Sequence, residues 1–372
     1  METYSRIAIK VGSNVLTRPD GRLDLTRMSA LVDQIAELRR MDKEVILISS
    51  GAVAAGKGEM KECTGLDVVS ARQLFSAVGQ IKLMNRYDEF FGGYGLRCGQ
   101  ILTMKESFST RRHYLNQKQC MEVMLEHGIV PVVNENDTVS VTELMFTDND
   151  ELSGLVATMM GVDVLLILSN VDGVYDGDPA LPTSALLREV VPDARLDTDS
   201  IVQTSRSSLG RGGMITKFRM AQKVASEGIT VIIANGKREH ILTDILLERN
   251  EVPYTRFLPG SHPVSGVKKW IAHSEGFAKG KIQINEGAYR ALLSSQAASL
   301  LPVGVVAVEG QFEKDDIVQI LAPDGSAFAL GKISCSAEEV QSRMGLQGER
   351  PFVHYNNPVS YTHLRAHETL RH

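Results

Sequence analysis

The first ~250 residues alternate short apolar runs with stretches whose apolar positions recur at helical spacing. That pattern predicts an α/β domain built on an open, mostly parallel sheet sandwiched by helices. RIAIKVG (6–12) puts Ile7, Ile9 and Val11 on one side of a strand, and EVILISSG (44–51) is a continuous apolar run into a glycine. Such runs suit strands buried on both faces. Further strands are expected at 97–103, 129–134, 163–169 and 229–235. A helix from about Asp24 carries Leu25, Met28, Leu31, Val32, Ile35 and Leu38 at helical spacing. A longer one within 70–91 shows a stripe of Leu74, Ala77, Val78, Ile81 and Met84. Residues 138–147 (TVSVTELMFT) alternate like an antiparallel excursion.

The pattern changes at 250–266, where three Pro and two Gly in seventeen residues predict a linker. Beyond it come short β-like runs, KKWIAH, KGKIQIN, GVVAVEG, DIVQILAP and AFALGKIS. Turns are expected at Pro302, Glu309-Gly310, Pro323-Asp324-Gly325 and Gly331. This is the text of a small β-barrel-like domain. The expected division is a catalytic domain over 1–258, a linker over 259–274, the barrel over 275–357 and a tail over 358–372. The tail contains His363 and His367 at i, i+4 without an apolar face and reads like translated cloning sequence, so it is set apart from the fold.

Composition narrows the class. A chain of 372 residues, 43% hydrophobic and 23% charged, exceeds one ordinary core and excludes disorder, collagen and coiled coil. No apolar run reaches the ~18–20 residues of a membrane span, and METYSRIAIKVG lacks the apolar core of a secretory signal. Net charge is −5, which gives no general reason to seek nucleic acid or anionic lipid. Four Cys (Cys63, Cys98, Cys120, Cys335) stand at least 22 positions apart, which excludes CxxC spacing and reads as reduced and cytoplasmic.

Ligands of an open parallel sheet bind beyond the carboxyl ends of its strands. Those ends carry Lys10-Val11-Gly12-Ser13-Asn14, Ser49-Ser50-Gly51-Ala52, Asn134-Glu135-Asn136-Asp137 and Ser169-Asn170. Small, amide, carboxylate and lysine groups at one edge predict a shared crevice. A second cluster, Arg211-Gly212-Gly213-Met214-Ile215-Thr216-Lys217, opens a helical run. Its glycines let backbone N–H groups approach an anion and the helix start adds its dipole, although a plain flexible turn accounts for it equally well. A third run, Phe146-Thr147-Asp148-Asn149-Asp150-Glu151, is read either as a helix N-cap or as substrate- and lysine-organising groups. No GxGxxG follows the first strand, and neither a Walker loop, a His/Cys cluster nor a nucleophile elbow is present. No metal-binding residues are therefore assigned. Two lysines with glycine amides suit phosphoryl transfer without a covalent intermediate, with Mg²⁺ expected to bridge the nucleotide phosphates.

VGSNVL at Lys10, ISSGAVAAG (48–56), NENDTV (134–139), DNDELS (148–153) and GRGGMITK (210–217) then carry a resemblance. The chain resembles the glutamate 5-kinases, a branch of the amino-acid-kinase family with a C-terminal PUA domain, over about residues 5–357. KWI (269–271), INEGA (284–288) and SLLPVGV (299–305) extend it into the carboxyl part. The resemblance implies transfer of phosphate from ATP to the γ-carboxylate of L-glutamate, the entry step to proline, with L-proline as feedback inhibitor. It implies Lys10, Lys217 and Asp150 as catalytic residues. Ser50, Gly51, Asn134, Asp137 and Asn149 are implied for glutamate, and Lys10, Ser169, Asn170 and Arg211 to Lys217 for the nucleotide. A cytoplasmic homo-oligomer, dimer or tetramer, is also expected. Asn170 stands where the family usually has Asp, and Thr147 where it usually has Gly. PUA domains also bring RNA binding into view. Residues 275–357, however, carry seven Lys+Arg against ten Asp+Glu, a balance that opposes phosphate neutralisation.

Overall fold

A computed structural model describes residues 4–60, 65–108, 111–139, 149–179, 181–191, 213–260, 278–293, 298–354 and 359–360. The antiparallel excursion expected at 138–147 and KKWIAH fall almost wholly outside these residues. The chain divides into two compact units, Met1–Lys105 with Lys118–Pro263, and Glu106–Gln117 with Val264–His372. Residues 106–117 thus group with the second unit, although in sequence they interrupt the text of the first.

The first unit runs β1 (Arg6–Val11), α1 (Ser13–Leu16), α2 (Leu25–Arg40), β2 (Glu44–Ser49), α3 (Ala52–Glu59), α4 (Val68–Gly92) and β3 (Arg97–Thr103). After α5 (Arg111–Glu126) come β4 (Ile129–Glu135), α6 (Asn149–Met160), β5 (Val164–Ser169), β6 (Glu189–Val190), α7 (Met214–Ser226), β7 (Thr230–Asn235), α8 (Ile241–Leu246) and β8 (Tyr254–Phe257). The strands form one sheet in the order β3-β4-β2-β1-β5-β7-β8-β6. All pairs from β3 to β7 are parallel; β8 runs antiparallel to β7. The central strands are buried almost throughout, every residue of β5 included, as their unbroken apolar text requires. Chain order departs in both directions from β1, to β2 on one side and β5 on the other. This is the switch point at which such sheets open a crevice.

Two expectations are corrected here. The Pro/Gly-rich stretch at 250–266 contains β8, which lies between Pro253 and Pro259 and alternates half-buried with buried. The prolines bound that strand without interrupting its ladder. The stripe read for α4 is also displaced. Ile81 is 64% exposed, and the buried face is Ser76, Gly79, Gln80, Leu83, Tyr87 and Phe91. A Cβ on Gly79 would meet the Ala52 carbonyl oxygen at 1.8 Å, and one on Gly56 the Phe75 oxygen at 1.9 Å. Helices α3 and α4 therefore touch backbone to backbone, an approach only glycine permits.

The second unit carries β9 (Gly280–Ile284), α9 (Glu286–Leu293), β10 (Val305–Gly310), β11 (Ile317–Leu321), β12 (Ala327–Lys332), α10 (Ala337–Arg343) and β13 (Val359–Ser360). Its strands are ordered β10-β9-β11-β12-β13 around a core that includes Ile282, Val318, Ile320, Phe328 and Phe352. Gly331, expected at a turn, lies inside β12, where Val353 leaves no room for a side chain. Val359 and Ser360, read as tail, pair with β12.

Candidate active site

The carboxyl ends of β1, β2, β4 and β5 line a cavity of about 610 Å³ within the first unit. Each strand end is turned by a specific device. After β1, the Gly12 N–H donates to the Leu168 carbonyl of β5 at 3.2 Å, tying the loop to the neighbouring strand. After β2, Gly51 takes φ +109°, a left-handed conformation suited to glycine, and starts α3. The end of β4 puts Asn134 and Glu135 on the cavity wall, and Asp137 follows just beyond it.

Asp150, 1% exposed in the first turn of α6, is the centre of one cluster. Its Oδ1 accepts from Lys10 Nζ, and its Oδ2 lies 2.7 Å from Lys217 Nζ. Burial pushes this carboxyl up, but the two ammonium groups outweigh it and hold it below the usual carboxylate range. Two cations around one carboxylate leave the trio itself at +1. Asn149, the preceding residue, donates from Nδ2 to Ser50 Oγ at 2.8 Å. That amide–hydroxyl pair adds neutral donors on the same wall.

The other cluster has the opposite composition. Arg72 of α4 pairs through Nη2 with Asp137 Oδ1 and lies 3.4 Å from Glu135 Oε2. Glu135 and Asp137 are both buried, so this trio sums to −1. Asn134 is fixed from both ends, donating to Gln80 Oε1 at 2.9 Å and accepting from the Glu135 N–H at 2.9 Å. Its amide orients the wall by holding α4 to β4. Deeper along α4, the Tyr87 hydroxyl bonds Ser49 Oγ at 2.7 Å.

Of the residues singled out from sequence, Lys10, Ser50, Gly51, Asn134, Asp137, Asn149, Asp150, Ser169 and Lys217 all line this cavity. Gly213, Met214, Ile215 and Thr216 lie at the start of α7, with Gly213 as its N-cap, and only Lys217 of that run reaches the lining. Asn170 is exposed just past β5 and lies off the lining. Arg211, Gly212, Thr147 and Asp148 fall outside the described residues. Sequence reasoning missed Arg72, and it put Glu135 at the crevice edge without giving it a role. The signal available was a polar stripe, Arg72, Ser76 and Gln80, repeating every four residues on a helix otherwise read by its apolar positions.

No group of three or more His, Cys, Asp or Glu able to hold a metal gathers among the described residues. Asp150 is committed to two lysines. These residues do not make a resident divalent-ion site.

Comparison with known proteins places this geometry. The model of the amino acid kinase family matches residues 5–235, and that of the PUA domain matches residues 280–351. A glutamate 5-kinase of Bacteroides thetaiotaomicron is 59% identical over 355 residues, covering 95% of this chain and 98% of that protein. One of Chlorobaculum tepidum is 45% identical over 359 residues, covering 95% and 97%. Among solved structures, a carbamate kinase from Giardia lamblia bound to AMP-PNP aligns with a TM-score of 0.50 at 13% identity, covering 68% of this chain and 98% of that one. At that identity the likeness concerns the fold.

Proposed function

The chain belongs to the amino acid kinase family, among its glutamate 5-kinases, and from that premise we propose how its residues carry phosphate from ATP to the γ-carboxylate of L-glutamate, the first step toward L-proline. The observation that carries the reading is the bridge Lys10–Asp150–Lys217 at the strand ends.

A γ-carboxylate oxygen attacks the γ-phosphorus, the bond to the β–γ bridging oxygen breaks, and ADP leaves with that electron pair, giving γ-glutamyl phosphate. The nucleophile arrives already ionised, so no general base is needed. What the reaction does need is relief of repulsion between two anions. Lys10 and Lys217 supply it as charge spreads over the transferring group. Asp150 keeps the two ammonium groups together and aimed. Ser50 and Asn149 donate to substrate carboxylate oxygens, and Asp137 takes the substrate ammonium. Ser169, Asn170 and the segment 211–217 hold the nucleotide, with the start of α7 facing its phosphates. Mg²⁺ would be brought by the nucleotide and would screen its phosphate charge, with no residue of this chain assigned to hold it.

L-Proline shares the ammonium and α-carboxylate of glutamate but has no γ-carboxylate. We assign it to the Ser50, Asp137 and Asn149 region as a competitive inhibitor. The remaining expectations, a cytoplasmic homo-oligomer of two or four chains and a PUA domain with a structural or regulatory rather than RNA-binding role, belong to the same proposal. None of the described helices is long and apolar enough to cross a membrane.

The test is an ATP-dependent assay with hydroxylamine trapping of the acyl phosphate, comparing glutamate, aspartate, acetylglutamate and carbamate. Turnover should require glutamate. Preference for any other acceptor overturns the reading.

A further inference from the structure

We propose that Arg72 sets acceptor specificity by binding the substrate's α-carboxylate, an inference that rests on the glutamate reading above. The guanidinium lines the cavity, its side chain is 23% exposed, and it is held by the two buried carboxylates Glu135 and Asp137. Asp137 is the group assigned to the substrate ammonium. In an α-amino acid the ammonium and the α-carboxylate leave the same carbon, so a ligand whose nitrogen reaches Asp137 brings its α-carboxylate beside Arg72. The γ-carboxylate must then extend toward Lys10 and Lys217, where the phosphoryl group arrives.

Charge makes the same assignment. Glu135, Arg72 and Asp137 together sum to −1, which favours entry of one ammonium. An α-carboxylate entering with it would face two buried acids unless a cation met it, and Arg72 is a cation already paired with both. A guanidinium offers five donors in a planar fork that fits a carboxylate bidentately. The substrate ammonium takes over Asp137 while Arg72 keeps Glu135 and turns its fork to the α-carboxylate. Every buried charge has an opposite partner before and after that exchange, which avoids the cost of an unpaired buried ion.

The backbone supports this placement. The contact of α3 with α4 at Gly56 and Gly79 fixes the height of α4, and Gln80, two turns beyond Arg72, bonds Asn134 of β4. Arg72 therefore projects from a helix fixed at one point by α3 and at another by β4, the strand that ends in Glu135 and leads on to Asp137.

The experiment measures kcat/KM for L-glutamate and for L-isoglutamine, its α-carboxamide with the γ-carboxylate intact, in the full-length parent, Arg72→Gln and Arg72→Lys. The parent should prefer glutamate by on the order of 10²-fold, the loss typical of one partner of a close charge pair. In Arg72→Gln that preference should collapse to a few-fold, almost wholly through a higher KM for glutamate, with the KM for ATP unchanged. Arg72→Lys should recover part of it, because charge is kept and the fork is lost. Nucleotide affinity and thermal midpoint report whether each variant folds. A folded Arg72→Gln that keeps the parent's preference, or loses both acceptors equally, overturns the proposal. If Arg72→Gln does not fold, Arg72→Lys carries the test, and an unchanged preference there overturns it. A parent inactive on glutamate defeats the functional reading itself, a different result from a parent that discriminates without Arg72.

Discussion

The two ion clusters lining the cavity are built from the same parts in opposite proportion. Around Asp150 one buried carboxylate holds two lysines; around Arg72 one guanidinium holds two buried carboxylates. Neither is a neutral pair: the named residues of the first sum to +1 and those of the second to −1. An extended amino acid with an ammonium at one end and a free carboxylate at the other satisfies both at once, and only in one direction. On the proposed reading the trios act as an orientation device as much as a set of contacts, the basic one serving reaction and the acidic one binding.

The perturbation that breaks this comparison most severely is Lys217→Ala. Loss of one cation from the basic trio should lower kcat by about 10²–10³, with the glutamate KM little changed. Steady-state kinetics check this; turnover within a few-fold of the parent would reduce the start of α7 to a simple turn. At the acidic trio, Asp137→Asn should act on the other parameter, raising the KM for glutamate and weakening proline inhibition together by roughly 10–10². Glutamate titrations at fixed proline concentrations read both effects. Inhibition that persists at saturating glutamate would exclude a shared site.

A subtler probe touches no charge. Gly79→Ala forces α4 away from α3 and should cost about 1–3 kcal/mol of stability, the usual range for overpacking. Because α4 carries Arg72 while neither lysine sits on it, the residual defect should appear in the glutamate KM and spare that for ATP. Denaturant unfolding and kinetics together decide. The smallest effect is expected at Asn170→Asp. This residue is exposed and off the cavity lining, so restoring the usual carboxylate should move nucleotide affinity by no more than a few-fold.

The two trios were not equally legible in the sequence. Lys10, Asp150 and Lys217 sit in short motifs at the ends of strands or starts of helices, where chemistry concentrates and local text reveals it. The central strands were legible for a related reason, since burial on both faces writes unbroken apolar runs such as VLLIL. Arg72 was obscured because the inner face of α4 is built from Ser76, Gly79 and Gln80, residues that give no hydrophobic signal yet make the closest contacts. Leu74, Val78 and Ile81 drew attention to the wrong side. Strand β8 was hidden by its flanking prolines, and the grouping of 106–117 with the second unit rests on contacts that sequence neighbours do not encode.

The grip of two lysines on Asp150 also decides how the enzyme meets acid. Its carboxyl is held below the ordinary value, so the charge it contributes in the folded state is complete above about pH 4 and fails only as pH falls through the lowered value. The γ-carboxyl of free glutamate titrates near 4.3, above that point. On acidification the nucleophile is therefore protonated before the bridge opens. The acid limb of kcat/KM for glutamate should follow the substrate, with a midpoint that moves when an acceptor of different acidity is used and stays put when Asp150's neighbours are altered. Between the substrate and the Asp150 bridge, it is then the amino acid's own carboxyl that gives way first in acid.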